Sequence, residues 1–176
     1  GLLGYGATVA TADIDGFGWT EVIAGPGPGP ANPPRVRGFD RSGSPVAGHD
    51  MMAYGTGGYG VNVGGGDIDG VDRTLTGPGP SPAYGPHVRA FGLGGTPLPK
   101  VSFFSYGTLR FGAGAAGGTI DGDWYHEIVT VPGPGAVFGP HVRGFDYDAT
   151  AVAAMPKVSF FAYGTLKYGA HCAPGD

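Results

Sequence analysis

Apolar and polar residues alternate along this chain in short runs, and each run is stopped by Gly, Pro or Asp. Ala7-Thr8-Val9-Ala10-Thr11-Ala12, Thr20-Glu21-Val22-Ile23-Ala24 and Arg35-Val36-Arg37-Gly38-Phe39 show the pattern. Alternation with period two, bounded by turn residues, predicts short antiparallel strands. No stretch keeps apolar residues at i, i+3, i+4 and i+7 free of Gly or Pro, so long helices are excluded.

The runs recur. Tyr5-Gly6, Tyr59-Gly60, Phe111-Gly112 and Tyr168-Gly169 mark a period of 52 to 57 residues. Val61-Asn62-Val63 and Ala113-Gly114-Ala115 repeat the first run, and Glu127-Ile128-Val129-Thr130-Val131 repeats the second. His87-Val88-Arg89-Ala90-Phe91 and His141-Val142-Arg143-Gly144-Phe145 repeat the third. Met51-Met52-Ala53-Tyr54, Phe103-Phe104-Ser105-Tyr106 and Phe160-Phe161-Ala162-Tyr163 supply a fourth. Such a period is the signature of a repeat architecture. The division it implies is 5–58, 59–110 and 111–167 for three repeats, with 1–4 ending an earlier unit and 168–176 opening a fourth. Four strands per unit of this length predicts an all-β fold of β-propeller-type four-stranded antiparallel blades, in a closed ring or an open or assembled array. Because the chain starts and stops inside a unit, it is expected to be part of a longer repetitive protein.

An acidic loop follows the first strand of each unit. It reads Asp13-Ile14-Asp15-Gly16-Phe17-Gly18-Trp19-Thr20-Glu21 in the first and Thr119-Ile120-Asp121-Gly122-Asp123-Trp124-Tyr125-His126-Glu127 in the third. Numbered from its first residue, such a loop can wrap a cation with side-chain oxygens at positions one, three, five and nine and a main-chain carbonyl at seven. Neither loop has acids throughout, with Phe17 at five in the first and Thr119 at one in the third. The candidate ligands are Asp13, Asp15, the carbonyl of Trp19 and Glu21 in the first unit. In the third they are Asp121, Asp123, the carbonyl of Tyr125 and Glu127. Calcium suits such a set, taking six to eight oxygens in flexible geometry, whereas magnesium demands a stricter octahedron and zinc prefers His or Cys. The second unit keeps Asp67 and Asp69, but has Val71 at five and Leu75 at nine. Its loop is two residues shorter, which leaves Asp72 as a stand-in ligand. Asp176 would open a fourth loop.

These units resemble FG-GAP repeats, the calcium-binding blades of integrin α-subunit propellers and related propeller proteins. Phe111-Gly112 and its Tyr-Gly counterparts match the first half of that motif. Gly25-Pro26, Gly77-Pro78 and Val131-Pro132 lie where the second half belongs, with the acidic loop between. The resemblance implies a propeller, calcium in the strand-connecting loops and an extracellular or cell-surface setting.

Composition narrows the functional classes. Gly and Pro are abundant, at 38 and 17 residues, yet 41% of the chain is hydrophobic and the glycines recur at fixed places, which argues for a folded core over disorder. A net charge of −4 gives no basic stripe for nucleic acid. No run of apolar residues is long enough for a membrane-spanning helix. Cys172 is alone and makes no intrachain disulfide. In the run from Gly25 to Pro30, proline removes the backbone donors a phosphate loop needs. With no nucleophile motif, the expectation is a non-enzymatic, calcium-binding extracellular repeat protein with a structural or adhesive role. Its partners would be other copies of itself, through blade-to-blade or end-to-end assembly, and a glycan or surface protein. A lectin-like or protein-binding propeller module, or a domain appended to a secreted enzyme, is the alternative.

Overall fold

The computed structural model describes residues 4–174, except 56, 149 and 165. Asp176 and most of the expected leading fragment therefore lie outside the described residues. Three four-stranded antiparallel sheets follow one another along the chain. The first holds β1 (Ala7–Ala12), β2 (Glu21–Pro26), β3 (Arg35–Phe39) and β4 (Pro45–Met52). The second holds β5 (Val61–Asp67), β6 (Asp72–Pro78), β7 (His87–Phe91) and β8 (Pro97–Phe104). The third holds β9 (Ala113–Gly118), β10 (Glu127–Pro132), β11 (His141–Tyr147) and β12 (Val152–Phe161). In each sheet the strands pair in chain order, and the pairing of the third with the fourth is broken by a register shift at the same place, beside Arg37, Arg89 or Arg143.

The expected β-propeller is corrected by this topology. Each sheet is open, with its first and fourth strands at the edges, and none closes or curls. A sequence period counts strands per unit, but it does not set the tilt between units; that comes from the packing at their interfaces. The likeness to FG-GAP blades, and the adhesive or self-assembling role drawn from it, lose their basis with the ring. So do the partners inferred from blade junctions: other copies, a glycan or a surface protein.

Side chains from neighbouring sheets fill the space between them. Ile14, Ile23, Val36, Val61 and Phe91 join the first sheet to the second. Ile68, Leu75, Val88, Ile128 and Phe145 join the second to the third. The isoleucine inside the acidic loop is thus a core residue in the first two units, while Ile120 is exposed. Near the first strands the contact is backbone on backbone. β5 runs between β1 and β9, and a Cβ on Gly64 would overlap the carbonyl of Ala115.

The aromatic-glycine dipeptides form a seam between units. Tyr59 and Phe111 take left-handed backbone, with φ of 69° and 70°, and so do the glycines after them, at 68° and 70°. Two such residues in succession are costly without glycine at one of them. The reward is a close approach: a Cβ on Gly60 or Gly112 would overlap the carbonyl of Pro26 or Pro78 in the preceding unit. Arg89 and Arg143 tie the same junctions, each donating to a carbonyl of the unit before, Ala53 or Ser105.

Candidate metal centre

The acidic loops are the hairpin connections from first to second strand, and the strands set their geometry. Glu21 opens β2 opposite Ala12, and Glu127 opens β10 opposite Gly118. Each glutamate is therefore buried at the base of its loop while the aspartates lie toward the open end. Asp13, Asp15 and Glu21 offer ligand oxygens that all lie within 4.8 Å of one another, and Asp121, Asp123 and Glu127 do the same. Two clusters of three carboxylates are thus assembled, either of which could coordinate a cation.

In the first loop the backbone folds around the carboxylates. Asp13 accepts from the N–H groups of Gly16 at 2.8 Å and Gly18 at 2.7 Å, and Asp15 accepts from Phe17 at 3.1 Å. Glu21 accepts from Ile14 at 3.0 Å. Burial, followed by the charge of Asp15, pushes the Glu21 carboxyl above its ordinary range, opposed by the N–H groups of Ile14 and Asp15. Trp19, at the seventh position, lies largely exposed under the guanidinium of Arg41, 5.0 Å away.

The third loop is organised by Glu127. Its Oε2 accepts from the N–H groups of Ile120 at 2.5 Å and Asp121 at 3.2 Å. The side chain is 0% exposed, and its Oε1 is buried with no hydrogen-bond partner. A buried carboxylate oxygen without a donor is costly. Asp121 accepts from Asp123 N–H, and Asp123 from Tyr125 N–H at 2.8 Å. Asp146, on β11, was not foreseen from the sequence. Its Oδ1 is also buried without a partner, and burial, then the charges of Asp121, Asp123 and Asp148, raise its carboxyl above the usual range.

The second loop differs in kind. Asp67 and Asp69 do not gather with a third carboxylate among the described residues. Asp69 is instead gripped by Arg73, Nε to Oδ1 at 2.6 Å and the second nitrogen to Oδ2 at 2.8 Å. Fixed loop numbering put Leu75 at the ninth position, but the strand register puts Arg73 there. Gly66 faces Arg73 as Ala12 faces Glu21 and Gly118 faces Glu127. Counting back from the Gly-Pro or Val-Pro pair would have found it. Asp72, the expected stand-in, points elsewhere: its Oδ2 accepts the N–H of Asp13 at 2.5 Å. On the other side His126 and Asp67 exchange hydrogen bonds, His126 N–H to Asp67 O at 2.7 Å and Asp67 N–H to His126 Nδ1 at 3.1 Å. The middle loop is thereby joined to both of its neighbours.

No protein-family model matches this chain, and no match to it was found among curated proteins or solved structures. Nor is any helix among the described residues long and apolar enough to cross a membrane.

Proposed function

We propose that this chain is a calcium-binding protein that seats one ion in the first loop and one in the third. The observation that carries the reading is Glu127. Its Oε1 is buried with no donor to satisfy it, on a side chain that gathers with Asp121 and Asp123, a state that a coordinated cation would relieve. The donor set favours calcium within the divalent cations: all oxygen, mostly carboxylate, on a loop able to adapt to a high coordination number. Glu21 and Glu127 would hold the ion at the base of each loop, with Asp13 and Asp15, or Asp121 and Asp123, closing over it. The bound charge would offset the repulsion within each cluster and fix the hairpin between first and second strands.

The role is binding rather than catalysis. The Ser–His pairs of the fold, His87 with Ser102 and His141 with Ser159, stand at equivalent positions of two repeats. Each imidazole stacks on a neighbouring phenylalanine, Phe104 or Phe161, as a packing feature does. Affinities of about 10⁻⁴–10⁻³ M are typical of extracellular calcium modules, and this reading assigns the protein to an extracellular setting.

The chain carries its own reporters, because its two tryptophans, Trp19 and Trp124, both stand in these loops. Terbium added to calcium-free protein should give saturable, tryptophan-sensitised emission that calcium displaces and magnesium displaces poorly. Emission that never saturates, or that survives in a protein carrying both Glu21→Gln and Glu127→Gln, would sink the reading.

A further inference from the structure

The second repeat keeps the aspartates of the loop and reverses the sign of the residue beneath them. We propose that Arg73 is the resident cation of the middle loop. Its guanidinium grips Asp69 where an ion would hold the matching aspartate of the flanking loops, so this loop is closed at Asp69 without metal, while the buried Oδ1 of Asp67 keeps no partner. The inference rests on the calcium reading of the first and third loops.

Three observations support the exchange. The strand register makes Arg73 the equivalent of Glu21 and Glu127. The fork of Arg73 meets both oxygens of Asp69, which is the equivalent of Asp15 and Asp121, and both side chains are mostly buried, 23% and 18% exposed. A planar guanidinium fits a carboxylate in this two-point fashion, supplying charge and direction together.

The third observation is a matching change across the sheet. Phe39, Phe91 and Phe145 hold equivalent register positions, opposite Val22, Thr74 and Ile128. The residue after each is Asp40, Gly92 and Asp146. Where the base of the loop carries Arg73, the facing residue has lost its side chain. A Cβ on Gly92 would lie 2.5 Å from a terminal nitrogen of Arg73. Gly92 leaves room for the guanidinium where it now stands, and the two positions differ together from the other repeats.

The middle loop is also the one that touches both others, through Asp72 to the backbone of Asp13 and through Asp67 to His126. A permanently closed middle loop gives the flanking loops a fixed attachment before any ion arrives. Ions then enter sites with one wall already ordered, which lowers the entropy lost on binding.

Amide hydrogen exchange on the full chain, in calcium and in EDTA, tests this directly. Protection at the amides around Asp67, Asp69 and Gly70 should stay within about two-fold, while amides at Gly16, Gly18, Asp123 and Tyr125 lose about ten-fold or more on chelation. Loss of protection in the middle loop equal to that of its neighbours overturns the proposal. Calorimetric titration with calcium gives the second arm. The natural chain should take two ions and R73E three; in a background of E21Q and E127Q, R73E should raise the count from none to one. Two ions bound both by the natural chain and by a folded R73E overturns the proposal and leaves the calcium reading intact. No ion bound by the natural chain overturns the calcium reading instead. Should R73E not fold, the exchange experiment on the natural chain decides alone.

Discussion

Glu127→Gln isolates the contribution of a single ion. Glutamine preserves the shape of the side chain and an oxygen for the N–H groups of Ile120 and Asp121, which Oε2 now accepts at 2.5 and 3.2 Å. It removes the charge from a fully buried group whose Oε1 has no partner. Without metal the substitution should be neutral or stabilising, because a buried charge beside Asp121 and Asp123 is costly. With metal the balance inverts. At 10 mM calcium, roughly 10- to 100-fold above a dissociation constant of about 10⁻⁴–10⁻³ M, one occupied site adds about 1.4–2.7 kcal/mol through RT ln(1 + [L]/Kd). For a chain of this size that corresponds to about 3–10 °C in melting temperature. The natural chain, with two sites, should gain about twice that between EDTA and calcium, and E127Q about half of the natural gain. Circular dichroism melts at neutral pH read both. A natural chain with the same midpoint in both buffers, or an E127Q protein with the full calcium gain, refutes the reasoning.

The calcium effect should depend on pH with a definite sign. The folded chain holds the Glu21 proton more tightly than the unfolded chain, because burial and Asp15 raise its carboxyl above 4.5. In EDTA the stability from this group is present below about pH 4.5 and is lost as pH rises through the raised value. An ion needs the carboxylate, so the gap between melting temperatures in calcium and in EDTA should widen from about pH 4.5 to 7. A gap that is constant or widest in acid contradicts this. Gly64→Ala should weaken the fold with or without metal, since its methyl would overlap the Ala115 carbonyl where β5 passes β9. Overpacking of this kind costs about 1–3 kcal/mol. A midpoint within about 1 °C of the natural chain would show that the strands can part.

The strands and their grouping in fours were legible because both are written locally. Alternation in Ala7–Ala12 and the Gly and Pro stops around Glu21–Pro26 need no distant partner to be read. The arrangement of sheets was not legible in the same way. It depends on how Ile14, Val61 and Phe91 meet across an interface, and a period carries no angle. The site divides along the same line. The carboxylates at Asp13, Asp15, Asp121 and Asp123 stand close in sequence, so a loop count finds them. Arg73 was missed because counting began at the loop and ignored the strand register. Asp146 was missed because it arrives from β11, where no local signal sets it apart from Asp40, whose carboxylate instead caps its own turn through Ser42 and Ser44.

The seam at Gly60 and Gly112 has an evolutionary corollary. Those junctions are closed by the absence of a side chain against a neighbouring carbonyl, a requirement that any copied unit meets at the moment of duplication. A copied unit therefore carries part of its fit in the backbone it inherits, beside the side chains that pack across the interface. Selection at such a seam has to keep glycine in place, together with the arginines that tie it. The base of the loop is less constrained, and one copy carries arginine where the others carry glutamate while the glycine seam stays the same.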